Sequence, residues 1–209
     1  MPLFGHKSPK PTKQPAVAVP ATPPPVPPLP NLQLALIDDT CKSSGRGGGL
    51  SIHGFDLEYP NGKGLPLNAD GPVDERVYYF RVAGVAHHEA TAQSDSFTPL
   101  SQVYLVREPT NAYDPNAIQV LSQTRENVGY VPRGAAAQMA ALMKRVGTTV
   151  VAATVTKTFN AHGKRTAIEV LAGVNRNIEL VGTVNVDDDA QLSSDDQWKL
   201  KAQQEEEPS

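Results

Sequence analysis

The sequence predicts a mainly β (α+β) fold: a small closed or partly closed barrel of six short strands with one main helix. Three observations carry that prediction. Short runs rich in β-branched and aromatic residues recur between positions 77 and 171, separated by polar turns. One stretch, 133–146, repeats its apolar residues at helical steps of three and four. No repeating strand–helix–strand unit occurs, so a parallel sheet clothed by helices is not expected.

The elements follow in chain order. VYYFRVAGV (77–85) is dense in β-formers and reads as the first barrel strand. A polar loop runs through Thr98, and VYLVR (103–107) is the second strand. AIQVL (117–121) and VGYV (128–131) form the next pair, joined by the hairpin-like SQTREN. Pro132 then starts the helix at about 133–146, with Ala136, Met139, Ala140, Met143 and Val146 on one face and Gly147 as its stop. TTVVAATVTKTF (148–159), the turn AHGKR and TAIEVL (166–171) complete the set as an antiparallel pair.

Outside this region the composition changes. Eleven of the 19 prolines fall in residues 1–30, together with His6, Lys7, Lys10 and Lys13 and no acidic residue. Successive prolines fix φ and remove N–H donors, so a disordered, polyproline-like arm is expected over 1–30. Residues 31–75 read as a partly ordered extension, with short strands at 32–37 and 50–57 and a turn at Asn61-Gly62. Its SSGRGGG connector lacks the GK[ST] that a phosphate-binding loop requires. From 185 to 209, eight acidic residues face Lys199 and Lys201, which predicts a disordered acidic tail with a solitary Trp198.

Composition excludes several classes. A single cysteine, Cys41, rules out an internal disulfide and a cysteine-rich zinc site, and no cofactor is expected. No apolar run is long enough to span a membrane, and the first residues lack the apolar core of a secretory signal. A soluble, cytoplasmic protein is expected. The chain carries net charge −3, yet residues 78–172 hold nine Lys/Arg against six Asp/Glu. Lys144, Arg145, Lys157, Lys164 and Arg165 are therefore candidate phosphate contacts, few enough to give salt-sensitive binding.

The densest chemistry lies in REPTNAYDPNAIQV (107–120), followed by VGYVPR (128–133). Asn111, Tyr113, Asp114 and Asn116 crowd one short loop between two strands. An ionised carboxylate only accepts hydrogen bonds, which suits a sugar hydroxyl and repels a phosphate. A tyrosine can stack on any base. Equally, Asp-Pro starts turns, and Asx side chains bond local backbone, so Asn116 reads as mainly structural. Arg133 opens the helix where its charge meets the positive dipole end, which marks it as a candidate anion contact. Gly129 reads as steric and Tyr130 as core or barrel rim. His87 and His88 are adjacent; on a strand they would face opposite ways, which argues against a metal pair. No nucleophile elbow surrounds Ser94, Ser96 or Ser101.

The order V-x-G-V, polar loop, R-E-P-x-N-x-Y-D-P-N-A-I-x-V, then V-G-Y-V-P and an Ala-rich helix resembles the HIRAN domain. That module occurs at the N-terminus of helicase-like transcription factor and related DNA-repair ATPases, and as a stand-alone bacterial protein. The resemblance covers roughly 77–171, less than half the chain, within an expected barrel domain at 76–175. It implies an OB-like, antiparallel six-stranded barrel that binds DNA, capturing a single-stranded 3′ end in the better-known eukaryotic members. By motif position, Tyr113 would stack on the terminal nucleotide and Asp114 would accept from its free hydroxyl. Asn111 would hold the loop or reach a base or phosphate. DNA-end-binding members carry a basic residue and an aromatic after V-x-G-V; Ala86 and His87 stand there in this chain, followed by His88. The expected DNA-binding set is Asn111, Tyr113, Asp114, His87, Arg133, Lys164 and Arg165.

The expectation is thus a non-enzymatic DNA-binding module acting in repair or processing beside a helicase, nuclease or other repair protein, since no ATPase motif is present. Two other classes are compatible. One is a protein-interaction adaptor using the Pro-rich arm and acidic tail; the other is a small nuclease or hydrolase, which lacks the paired carboxylates it would need.

Overall fold

The computed structural model describes residues 25–43 and 49–184. Most of the Pro-rich arm, the acidic tail and Trp198 lie outside them. The mainly β expectation holds: the strands join one ten-stranded sheet. Within the described residues no helix is long and apolar enough to cross a membrane.

The six expected barrel strands are all present. They are β4 (Val77–Arg81), β5 (Gln102–Arg107), β6 (Ile118–Leu121), β7 (Asn127–Tyr130), β8 (Val150–Ala161) and β9 (Lys164–Gly173). Their antiparallel pairings run β4-β9-β8-β5-β6-β7. The ladder does not close. Between β7 and the end of β4 lies a single bridge, in which Ala83 and Tyr130 exchange N–H···O bonds of 2.8 and 2.9 Å. Gly129 makes even this contact possible. Its φ is +143°, and a Cβ there would meet the Ala83 carbonyl oxygen at 2.4 Å.

The helix, here α2 (Arg133–Val146), matches the periodic stretch residue for residue. Ala136, Met139, Ala140 and Met143 are buried against Phe80, Leu105, Ile118, Ile168 and Phe97. Gly147 ends it in the left-handed conformation, and the N–H of Thr148 returns to the Met143 carbonyl at 2.9 Å.

The first strand is shorter than the sequence suggests. Gly84 takes φ +81°, and the chain turns into a 3₁₀ helix (Val85–His88), a one-turn α1 (Glu89–Ala92) and a second 3₁₀ turn (Asp95–Phe97). The expected polar loop is therefore a wall of short helical turns, pinned inward by Val85, Ala92 and Phe97.

The flanks add a layer that was only partly foreseen. β1 (Leu29–Asp38), β2 (Cys41–Ser43) and β3 (Leu50–Glu58) come from the extension, and β10 (Arg176–Val184) follows the barrel. β3 pairs with β8 while β1 lies between β3 and β10, its pairing with β10 being parallel. The expected arm is thus ordered at its end, since Leu29 and Pro30 already belong to β1. Leu34, Leu36, Leu57 and Leu65 pack on Val77, Tyr79 and Leu171 to form a second core. This explains why VYYFR is apolar throughout: Tyr78 and Phe80 serve the barrel core, and Val77 and Tyr79 serve the flank.

Candidate nucleic-acid interface

The loop between β5 and β6 is held by its own side chains. The Asn111 carboxamide oxygen accepts from the N–H groups of Tyr113 (2.9 Å) and Asp114 (3.1 Å), while its nitrogen donates to Glu108 Oε2 at 2.8 Å. Asp114 Oδ1 accepts from the N–H of Asn116 at 2.8 Å. Backbone bonds from Asn111 to Glu108 and from Ala117 to Asp114 close a turn at each end. The Asn111 carboxamide and one oxygen of Asp114 are thereby committed within the loop, to backbone N–H groups and to Glu108. Asn116, read as structural, takes part through its backbone N–H.

What remains points outward. Tyr113 is 95% exposed, an unusual state for an aromatic ring on an otherwise well-held loop. Asp114 Oδ2 faces Arg133 Nε across 3.9 Å, within ion-pair range but too far for a hydrogen bond. The Arg133 side chain is 89% exposed. It sits in the first turn of α2, which has no side-chain cap and no acidic residue. On its other side that turn is covered by Ala69, whose carbonyl accepts from the Ala135 N–H at 2.8 Å, and by Asp70 beside Gly134.

These groups border one groove of about 480 Å³. That volume falls within the roughly 300–1,000 Å³ typical of small-ligand sites. Asn111, Tyr113 and Asp114 form one wall, His87 and His88 another, and Tyr130 and Arg133 a third. The His88 and Tyr130 rings lie 6.4 Å apart, tilted by 55°. Because Ala83 and Tyr130 also line the groove, it opens at the seam where the barrel ladder is joined by one bridge. The seven expected contacts thus divide: Asn111, Tyr113, Asp114, His87 and Arg133 converge, and two do not.

Lys164 and Arg165 are not among the groove's walls. They sit at the β8–β9 turn, where Lys164 pairs with Glu89 and Arg165 Nη1 donates to the carbonyls of Ala92 (2.7 Å) and Ser94 (2.8 Å). The glutamate beside Lys164 raises its pKa, while burial lowers that of Arg165. Lys157, another candidate phosphate contact, is 5% exposed and held between Asp39 and Asp56.

The two histidines lie in the expected polar loop after the first strand, but on one side of it. His87 and His88 do not face opposite ways across a strand; on the 3₁₀ turn after Gly84, both border the groove. Sequence reasoning also gave Tyr130 no place in the site. The signal was the glycine before it, which fits only where two backbones nearly touch. No group of three or more His, Cys, Asp or Glu among the described residues is placed to hold a metal ion.

Comparison with known families agrees with this architecture. Residues 76–175 match the family model of the HIRAN domain, a span that begins just before β4 and ends just after β9. β1–β3 and β10 lie outside it, so the second core is built largely from residues flanking the matched domain. Searches of curated proteins and of solved structures returned no match. HIRAN domains are known as nucleic-acid-binding modules, and residues 76–175 of this chain form a HIRAN domain.

Proposed function

We propose that the groove receives the 3′-terminal nucleotide of a single DNA strand, and that the protein is a binding module without catalytic activity of its own. One observation carries the reading: Tyr113 stands almost fully exposed beside a carboxylate that keeps one oxygen free of hydrogen bonds. An exposed phenol ring offers a face on which a base stacks, worth roughly 1–3 kcal/mol per base. Asp114 Oδ2 can accept only from a donor, so a free hydroxyl is favoured and a continuing phosphate repelled. The exposed Arg133 guanidinium supplies positive potential for the preceding phosphate. In place of the basic and aromatic pair of the DNA-end-binding members, this chain offers the exposed Ala86 and the His87 imidazole. With few cations at the groove, binding should be modest and steeply salt-dependent. A repair or processing role, with a helicase or nuclease as partner, follows from the same reading.

The test is fluorescence anisotropy with single strands that end in a 3′ hydroxyl or a 3′ phosphate, at low and moderate salt. The hydroxyl strand should bind more tightly. Tyr113→Ala should weaken it by about tenfold or more, and Asp114→Asn should abolish the preference between the two ends. Equal binding of both ends by the wild-type chain would sink end recognition.

A further inference from the structure

We infer that Arg165 and Gln93 form a clasp that positions the histidine wall of the groove, so that the β8–β9 hairpin tip sets how firmly the site holds its ligand. The inference deepens the reading above and rests on it for the ligand.

The wall is the segment 85–97. It leaves the barrel at Gly84 and carries His87 and His88 to the groove. Val85, Ala92 and Phe97 fix its inner side. Its outer side is tied to the hairpin tip in a more specific way. β4 leaves the edge of β9 at Glu169 and Ile168, where Val82 N–H reaches the Ile168 carbonyl at 2.8 Å. Further along that strand, the Gln93 carboxamide bonds to the backbone of Arg165. Its nitrogen donates to the Arg165 carbonyl (3.1 Å) and its oxygen accepts from the Arg165 N–H (2.8 Å). A primary amide carries the same donor and acceptor as a peptide group, so Gln93 stands in for a missing strand residue.

The Arg165 side chain completes the grip from the other direction. Nη1 bonds the carbonyls of Ala92 and Ser94, the two residues that flank Gln93. Four hydrogen bonds thus join three consecutive wall residues to one residue of the tip. The Arg165 Nε is buried without a partner among the described residues, so the guanidinium is committed to this contact rather than to solvent. The Lys164–Glu89 pair is an exposed addition to the same junction and contributes little. Arg165 is on this account a positioning residue: it touches the wall, and the wall touches the ligand.

The clasp is tested in the full chain with Arg165→Ala, Arg165→Lys and the exposed-site variant Gln93→Ala. Two readouts are needed: the imidazole NMR signals of His87 and His88 with amide exchange over 85–97 in the free protein, and anisotropy titration with a 3′-hydroxyl single strand. Arg165→Ala and Gln93→Ala should shift both imidazole signals and speed exchange in 85–97 but not in β5 or β8. They should weaken binding by about three- to tenfold. Arg165→Lys should recover part of both effects, because an ammonium can still donate to the two carbonyls. Imidazole signals that stay in place, or that move while affinity is unchanged, would overturn the clasp. Lost affinity with unmoved signals would do the same and make Arg165 a direct contact. Should the wild-type chain bind no strand, the groove reading falls, and the positioning role is judged on the imidazole and exchange data alone.

Discussion

Two clusters of charged and aromatic side chains in this protein differ in how completely their polar atoms are used. Beneath the flanking layer, Glu169 is 2% exposed and accepts from Tyr79 Oη at 2.9 Å and Arg81 Nη2 at 2.7 Å. Beside it, Lys157 is shared by Asp39 and Asp56. Burial and the adjacent carboxylate push the Tyr79 phenol far above its usual pKa, so it stays a hydrogen-bond donor. In the groove, by contrast, a tyrosine stands bare and a carboxylate oxygen faces a guanidinium at a distance too long for a hydrogen bond. The first cluster has paid for desolvation with full pairing; the second keeps unspent capacity where solvent, or a ligand, can reach it. The difference separates a paired structural network from a surface with capacity to bind, without reference to residue type, since both contain Tyr, Arg and a carboxylate.

That contrast can be broken most directly at Glu169. Glu169→Ala strands the Tyr79 hydroxyl and removes the partner of Arg81, and should cost about 2–4 kcal/mol in urea unfolding. A loss below about 1 kcal/mol would mean that the buried cluster is no better satisfied than the groove. Gly129→Ala comes next. A Cβ 2.4 Å from the Ala83 oxygen must push β7 off the seam, with an expected loss of about 2 kcal/mol and weaker strand binding as well.

The groove itself should be the reverse case. Arg133→Ala should leave stability within about 0.5 kcal/mol. It should lower the slope of log affinity against log salt by about 1. A large stability loss would place Arg133 among the structural charges. The smallest expected effect is an absence of change. Burial alone would depress the Lys157 ammonium, but its hydrogen bonds to Asp39 and Asp56 outweigh this and hold its pKa above 10.5. A raised lysine stabilises fully below the unfolded value and loses that contribution only as pH climbs through the folded one. The difference in unfolding free energy between wild type and Lys157→Met should therefore stay flat from about pH 7 to 9. A slope in that window would show that the ammonium is not held as the carboxylates suggest.

Much of the barrel was legible because its signals are local. The β-branched and aromatic runs of β4–β9, the helical steps of α2 and the stop at Gly147 each depend on neighbours within a few residues. β10 was not read, although Ile178 and Leu180 alternate within it. Its strand partner is β1, some 146 residues earlier in the chain, as in the pairing of Leu32 with Ile178. The site was legible in part for the same reason. Asn111, Tyr113 and Asp114 share a loop, but their meeting with Arg133 and the two histidines is set by the seam. The histidines fall in the expected polar loop, but their shared side was not legible, because Gly84 turns the chain into a 3₁₀ helix to which the alternation of a strand does not apply. Arg165 misled for another reason: a cation on a hairpin tip looks free until the carbonyls it holds are seen.

The seam between β4 and β7 has a consequence for the shape of the groove. Elsewhere the barrel wall is laced by ladders of several residues; among the described residues the Ala83–Tyr130 bridge is the one backbone pairing between these two edges. Val82, Val85, Val128 and Val131 are buried in the barrel core beside it. The mouth of the groove therefore takes its contour from packed side chains more than from backbone hydrogen bonds, so exchanging one apolar residue along the seam should reshape the opening while the ladders stay as they are.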